Sequence, residues 1–187
     1  MRRHLIGLSL LLSACTAEVP VDEGLAPPAT GVIEGEAVVL VPLEEPAPVI
    51  LFLVTPVVDN SGNVILTPVN LTVIPASDLT VAEGTQGSPI VTGAFQFPTV
   101  TPGTYYIQAF VDTDQNYNPL APNTTGAPPY DPGDVLGGYV QLNPANPAAS
   151  TPLPIVVAAD QVVSQINVLL ATVVPYPETT ETPTAAP

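Results

Sequence analysis

The sequence predicts an all-β protein, a two-sheet antiparallel sandwich of about seven to nine strands. Hydrophobic residues make up 46% of the chain but aromatic residues only 5%, and there is no Trp, so Val, Leu, Ile and Ala must build the core. Such β-branched and aliphatic side chains pack well on a pleated sheet. The 25 prolines and 13 glycines interrupt the apolar runs every few residues, which excludes long helices and leaves short strands joined by turns.

Apolar runs of strand length follow one another from residue 31 to residue 175, the expected sandwich domain. The run Val49–Val54 is continuously apolar, which is typical of a strand buried on both faces, and nearby prolines favour a strand over a short buried helix. Residues 59–63 have the composition of a turn, and residues 77–89 that of a loop enclosing at most a short strand. The other predicted strands are 32–41, 64–66, 69–74, 94–97, 104–111, 138–142, 155–157 and 162–170, the last favoured over a helix by its Val and Ile content.

The N-terminus has the features of a cleavable secretion signal. Arg2-Arg3 precedes an apolar run that is too short to span a bilayer. The motif Leu12-Ser13-Ala14-Cys15 then resembles the bacterial lipobox. The resemblance implies that residues 1–14 are removed and that Cys15 carries the lipid that holds the mature protein on a membrane. An ordinary signal peptide with an incidental Cys is the alternative. Thr16, in place of the Asp that retains some lipoproteins at the inner membrane, favours the outer membrane of the cell envelope.

Two Pro-rich segments flank the expected domain. Residues 15–30 combine three acids with several prolines and show no periodicity, which predicts a flexible tether that its prolines partly stiffen. Residues 176–187 are rich in Pro and Thr and are expected to be disordered.

Charge is distributed unevenly along the chain. Both basic residues and the single His precede Cys15 and all 17 acidic residues follow it, so the chain from Cys15 onward has a formal charge of 0 − 17 = −17. With no cations to neutralise phosphates, nucleic acid is excluded as a partner. Catalytic triads, Schiff bases and cationic oxyanion sites are excluded too, which predicts a non-enzymatic protein. A glycosidase with paired carboxylates is the remaining enzymatic alternative, and the lack of Trp weighs against it.

Residues 93–109, GAFQFPTVTPGTYYIQA, resemble the G-x-F-x-F … P-G-x-Y stretch of carboxypeptidase-regulatory-like domains. Those domains are prealbumin-like sandwiches of about seven strands, and the same stretch recurs across several sandwich families, so the predicted sandwich is prealbumin-like or immunoglobulin-like. The resemblance extends in strand order over roughly residues 31–170, but only this stretch is specific in its residues. It implies an accessory module with a scaffold or binding role.

The acidic loop after this stretch is the part of the sequence that indicates chemistry. The motif Asp112-Thr113-Asp114-Gln115-Asn116 places oxygens at alternate positions, as the first turn of a D-x-[DN]-x-[DN] calcium loop does. It is not an EF-hand, because Tyr117 stands where that loop needs Gly. Residues 130–139 resemble the acidic return segment that closes calcium sites in secreted sandwiches. The predicted Ca²⁺ ligands are Asp112, Asp114, Asn116, Asp131 and Asp134, and oxygen ligands without His or free Cys favour Ca²⁺ over zinc.

Two functions stay open for this loop. In the first, the ion stiffens a sandwich that has a structural or protein-interaction role, with another envelope protein as its candidate partner. In the second, the loop 112–139 forms a binding module for a small molecule or a carbohydrate, lined by Tyr117, Tyr130 and Tyr139. A solvated acidic loop, in which Asp and Asn only make turns, is the alternative to any metal site.

Overall fold

The computed structural model of the protein describes residues 29–83, 89–121, 128–143, 145–146 and 149–176. The described chain is all-β, as predicted, apart from short 3-10 turns at Ala76–Asp78 and at Ala149. The predicted signal peptide, Cys15, nearly all of the tether and the tail beyond Tyr176 lie outside the described residues. Within the described part, no helix is long and apolar enough to cross a membrane.

The strands of the described chain are β1 (Gly31–Val39), β2 (Val49–Val58), β3 (Val64–Ile74), β4 (Thr80–Glu83), β5 (Pro89–Val100), β6 (Gly103–Val111), β7 (Val135–Gly138), β8 (Val140–Gln141), β9 (Thr151–Pro152), β10 (Ile155–Val157) and β11 (Val162–Val173). One large sheet has the order β3-β2-β6-β7-β11-β1-β5-β4, with β10 also paired to β6, and β8 and β9 form a small second sheet.

One strand pair differs from the antiparallel arrangement that the sequence predicts. β1 and β11 run parallel, with Val32 opposite Val162 and Val39 opposite Leu170, whereas the other described pairs are antiparallel. A parallel pair needs a crossover connection, and here nearly the whole domain lies between the two strands. The local sequence around either strand therefore carries no sign of the pairing.

The large sheet is curled. β3 lies at one edge and β4 at the other, yet only residues 75–79 connect them. Eight flat strands would be about 34 Å wide, whereas the six steps from Ile74 to Thr80 span at most about 21 Å. Ile74 also lies against Gly93 of β5, near the opposite edge. The sheet therefore bends until its edges approach each other, and its concave side encloses the core.

Alternation along the strands fills this core from the concave side. Tyr105, Ile107, Ala109 and Val111 of β6, which alternate along the strand, all belong to it. The rings of Phe95 and Phe97 meet edge to face within it, with centroids 5.9 Å apart. Tyr105 is buried because its hydroxyl finds partners, donating to the carbonyl oxygen of Thr101 at 2.8 Å and lying 2.8 Å from the Thr101 hydroxyl.

β2 is buried on both faces, as its continuous apolar run predicts. Val49, Leu51 and Leu53 point into the core, while Ile50 and Val54, on the opposite face, are 2% and 0% exposed. Phe110 of β6 lies opposite Ile50 on that convex face and is also buried. The convex face is covered here because the chain that follows β6 folds back over it.

The β2–β3 hairpin extends beyond the sheet. The pairing of β2 with β6 ends at Val54, and residues 55–69 continue as an arm that ends in the predicted turn. The carboxylate of Asp59 accepts the backbone N–H groups of Ser61 and Asn63 at 2.8 Å, and Gly62 supplies the positive φ of +83°. β3 is one strand where the sequence predicts two, because the ladder continues through Thr67 and Pro68.

Candidate metal site and the cleft beside it

The acidic loop closes at one end of the sheet because of the register of two neighbouring strands. Val111 at the end of β6 lies opposite Val135 at the start of β7. Asp112 and Asp134 are the residues just beyond this pair, so the antiparallel ladder brings them together. It also brings Asp134 to Thr113, which lies 21 positions earlier in the chain. The long connection between them then returns the chain to its starting point.

Asp134 is almost completely buried, at 1% exposure. One of its carboxylate oxygens accepts the backbone N–H of Thr113 at 3.0 Å and the hydroxyl of the same residue at 3.1 Å. Its other oxygen accepts the backbone N–H of Asp131 at 3.1 Å. This side chain therefore fastens the outgoing segment of the loop to the returning one.

Asp112 is buried to a similar degree, at 3% exposure. Its two carboxylate oxygens accept the backbone N–H groups of Asn116 and Tyr117 at 3.1 and 3.2 Å. Gln115 adopts a positive φ of +57°, which turns the chain back so that these N–H groups face the carboxylate. Asp112 thus shapes the first turn of the loop.

Asp114 completes a cluster of three carboxylates. Oxygen atoms of Asp112, Asp114 and Asp134 all lie within 4.8 Å of one another, and this cluster can hold a metal ion. The other two predicted ligands lie beside it: the side-chain amide of Asn116 donates to Asp114 at 2.7 Å and to Asp131 at 2.6 Å. Asn116 therefore joins Asp131 to the cluster as a hydrogen-bonding bridge.

The electrostatics of the cluster favour a positive charge inside it. Burial raises the pKa of the Asp112 carboxyl above its usual 3.8, the hydrogen bonds from Tyr117 and Asn116 oppose this rise, and the charges of Asp134 and Asp114 add to it. Every buried polar side-chain atom in the described residues has a hydrogen-bond partner. Hydrogen bonds thus satisfy the oxygens but leave the repulsion between the carboxylates, and the chain beyond His4 contains no base to offset it.

The donor set fits a hard cation. An ionised carboxylate has about four lone-pair sites, and these three side chains each accept only two or three hydrogen bonds. Lone pairs therefore stay available on each of them. Oxygen ligands of this kind suit Ca²⁺ or Mg²⁺, and the larger ion tolerates irregular geometry better.

The loop is also tied to strands on either side of it. The backbone N–H of Asp112 donates to the carbonyl of Pro48, just before β2, at 3.0 Å. Gly133 donates to Val174 at 3.0 Å, and Val174 donates back to Asp134 at 2.8 Å, which joins the return segment to the end of β11. Gly133 has a φ of +103°, and an added Cβ would lie 2.5 Å from the Tyr176 hydroxyl, so this crossing needs Gly.

Two of the three predicted tyrosines lie together over the convex face. The ring of Tyr117 meets Phe110 edge to face at 5.4 Å, and the ring of Tyr130 lies 6.3 Å from the same Phe110. Burial raises the pKa of the Tyr117 phenol above 10.0. Tyr139 lies apart from this group because it packs against the core.

A cleft opens between the convex face and the returning loop. Its volume is about 330 Å³, and its walls include Phe52, Phe110, Tyr130, Pro128, Pro129 and Leu136. Phe52 and Phe110 stack with their centroids 6.1 Å apart, so two rings from adjacent strands form one wall. Phe52 and Phe110 do not stand out as site residues in the sequence, since each belongs to an apolar strand.

Comparison with known proteins adds no relative to this description: no family model matches the chain, and no curated protein or solved structure is significantly similar to it.

Proposed function

We propose that this chain is a non-enzymatic lipoprotein of the bacterial cell envelope that presents a calcium-stabilised β-sandwich for a structural or protein-interaction role. Its anchor is a lipid on Cys15, and its membrane is the outer rather than the inner one. The domain is a two-sheet sandwich of the prealbumin-like or immunoglobulin-like kind, formed by the two sides of the curled sheet. Its partners are the membrane and another envelope protein, and nucleic acid is not among them.

The observation that supports the calcium part most strongly is the carboxylate cluster. Two of its three members are buried, all three lie within 4.8 Å of one another, and the chain beyond His4 has no Lys, Arg or His to pair them. Buried charges without a partner are costly. A divalent cation would remove the repulsion and bring a charge of opposite sign, so its binding would stabilise the folded state.

A structural role for the ion follows from what the loop connects. Its hydrogen bonds reach the chain before β2 and the end of β11, and the loop itself joins β6 to β7. These four strands are consecutive in the large sheet. An ion bound among Asp112, Asp114 and Asp134 would therefore fasten one end of four adjacent strands.

Thermal unfolding in CaCl₂ tests the calcium proposal. At a hundredfold excess over Kd, an ion that binds only the folded state stabilises it by about 2.7 kcal/mol, or a rise in Tm of roughly 5–10 °C for a chain of this size. Asp114→Ala should erase most of this rise. Asp78→Asn, which removes an exposed carboxylate elsewhere, should respond like the parent protein and is the matched control.

Screening of the net negative charge would also raise the Tm, so NaCl at the same ionic strength is the second control. If NaCl reproduces the whole effect of calcium, or if Asp114→Ala keeps it, the loop is a hydrogen-bonded turn and the metal proposal is wrong.

The anchor is tested separately with Cys15→Ser. The change removes the thiol to which the lipid would attach, so incorporation of a labelled fatty acid should stop and the protein should leave the membrane fraction. Fatty-acid label retained by the Ser variant would refute the lipoprotein proposal and would not affect the calcium proposal.

A further inference from the structure

We infer that the cleft beside the acidic loop is a binding site for a small organic cation of the quaternary ammonium type. This function goes beyond the structural role proposed above. The cleft also gives the predicted small-molecule role of the loop a definite place and a definite ligand chemistry.

The walls of the cleft have the composition of a site for an apolar body. Phe52 and Tyr130 supply aromatic surface on either side of Phe110, with neighbouring centroids 6.1 and 6.3 Å apart, and Phe110 itself is only 1% exposed and lies behind this surface. Pro128, Pro129 and Leu136 supply the rest of the apolar surface. The volume of about 330 Å³ falls in the range of small-molecule sites, about 300–1,000 Å³.

Charge selects a cation as the occupant. The chain from Cys15 onward has 17 acidic residues and no basic one, so its field repels anions and concentrates cations at its clefts. Aromatic faces attract cations through their quadrupole, and rings of this kind recognise quaternary ammonium groups.

The polarity of the lining argues against a carbohydrate. Among the described residues that line the cleft, only Gln108 and Tyr130 have polar side-chain atoms. A sugar carries hydroxyl groups on most of its ring carbons, and hydroxyls buried without hydrogen bonds are costly. A quaternary ammonium ion has no hydrogen-bond donor on its charged group, so it can be buried against this lining without losing hydrogen bonds.

The acidic loop holds two of the aromatic rings in position. The backbone N–H of Tyr117 donates to Asp112, and its ring then packs against Phe110. The backbone N–H of Asp131 donates to Asp134, which fixes the neighbouring Tyr130. Because these hydrogen bonds belong to the chain itself, the cleft keeps its shape whether or not an ion occupies the cluster.

The test compares benzyltrimethylammonium with neopentylbenzene, its uncharged isostere with carbon in place of nitrogen. Binding to the full-length protein in detergent is followed by ligand-observed NMR, with protein-free micelles as the blank. We expect saturable binding of the cation that is at least about fivefold tighter than that of the isostere, which corresponds to about 1 kcal/mol. Raising NaCl from about 0.05 to 0.5 M should weaken the cation's binding and leave the isostere's unchanged.

Variants separate the aromatic contribution from simple apolar burial. Phe52→Leu keeps an apolar side chain but removes the ring, and it should weaken binding of the cation at least about fivefold. Tyr130→Phe keeps the ring and should bind within about twofold of the parent. Tyr106→Leu, which removes a ring outside the cleft lining, is the matched control and should change nothing.

No saturable binding of the cation, equal affinity for the isostere, or an unaffected Phe52→Leu variant would each overturn the proposal. The titrations are run in both CaCl₂ and EDTA, and the cation should bind in both. If calcium does not stabilise the protein, binding of the cation should still be observed, so the failure of one proposal does not imply the failure of the other.

Discussion

Asp112→Asn should change the stability of the protein in opposite directions with and without calcium. Asn has the shape of Asp but exchanges one acceptor oxygen for an NH₂ group, so one of the two hydrogen bonds from Asn116 and Tyr117 is lost. A bond to a charged group contributes about 1.5–3 kcal/mol. The same change removes a buried charge, so it relieves the desolvation that is the main cause of the raised pKa of Asp112. It also removes the repulsion from Asp134, which at the 4.8 Å limit of the cluster is about 3.5 kcal/mol for an effective dielectric constant of 20.

Without a divalent cation, the relief of desolvation and repulsion together exceeds the lost hydrogen bond, so the variant should be more stable than the parent by roughly 0.5–2 kcal/mol. In saturating calcium the parent gains about 2.7 kcal/mol, and the variant, with one ligand weakened, gains little. The order of the two proteins should therefore reverse.

The assay is thermal unfolding of both proteins in EDTA and in CaCl₂, where 1 kcal/mol corresponds to a Tm shift of about 2–4 °C at this chain length. NaCl of equal ionic strength accompanies each measurement. A difference between parent and variant that has the same sign and size in EDTA and in CaCl₂ would refute the reasoning, because the role of Asp112 would then be confined to its hydrogen bonds.

Three further outcomes follow from the described residues. Because the folded-state pKa of Asp112 is raised above 3.8, the stability that its bound proton provides is complete below that pH and is lost as the pH rises through the raised value. In EDTA, the Tm of the parent should therefore fall over this pH range more steeply than the Tm of Asp112→Asn. Parallel pH profiles of the two proteins would contradict this prediction. Leu51→Ala in the core should lower the unfolding free energy measured in urea by about 2–5 kcal/mol. Val58→Thr on the exposed arm should change it by no more than about 0.5 kcal/mol. Similar losses at the two positions would show that the arm is packed. Tyr105→Phe removes the hydroxyl that is hydrogen-bonded to Thr101 and should lower the unfolding free energy by about 1 kcal/mol. An unchanged unfolding free energy would show that water satisfies this hydroxyl equally well in the unfolded chain.

The strands could be predicted where local pattern decides the outcome. The apolar run at residues 104–111 predicted a strand, which is β6, and the continuous run Val49–Val54 indicated burial on both faces; the structure confirms both. The parallel pairing of β1 with β11 could not be predicted in this way, because it depends on contacts between opposite ends of the domain.

The candidate site was predictable in its residue types but not in its arrangement. The D-x-D-x-N spacing identified Asp112 and Asp114, and the structure brings Asp134 to them across the β6–β7 ladder. The bridging position of Asn116 depends on where the return segment lies, which spacing alone does not give. The burial of Phe110 was missed for a related reason: the loop that covers its face is polar in sequence and becomes a cover only when it folds back.

The metal site can be tested most directly by locating the ion. Crystals grown in CaCl₂ should show one anomalous difference peak among Asp112, Asp114 and Asp134, with carboxylate oxygens at about 2.3–2.6 Å. Crystals grown in NaCl of the same ionic strength should lack it. A calcium-grown crystal with no peak among these three carboxylates would contradict the central claim that the acidic loop is a metal site.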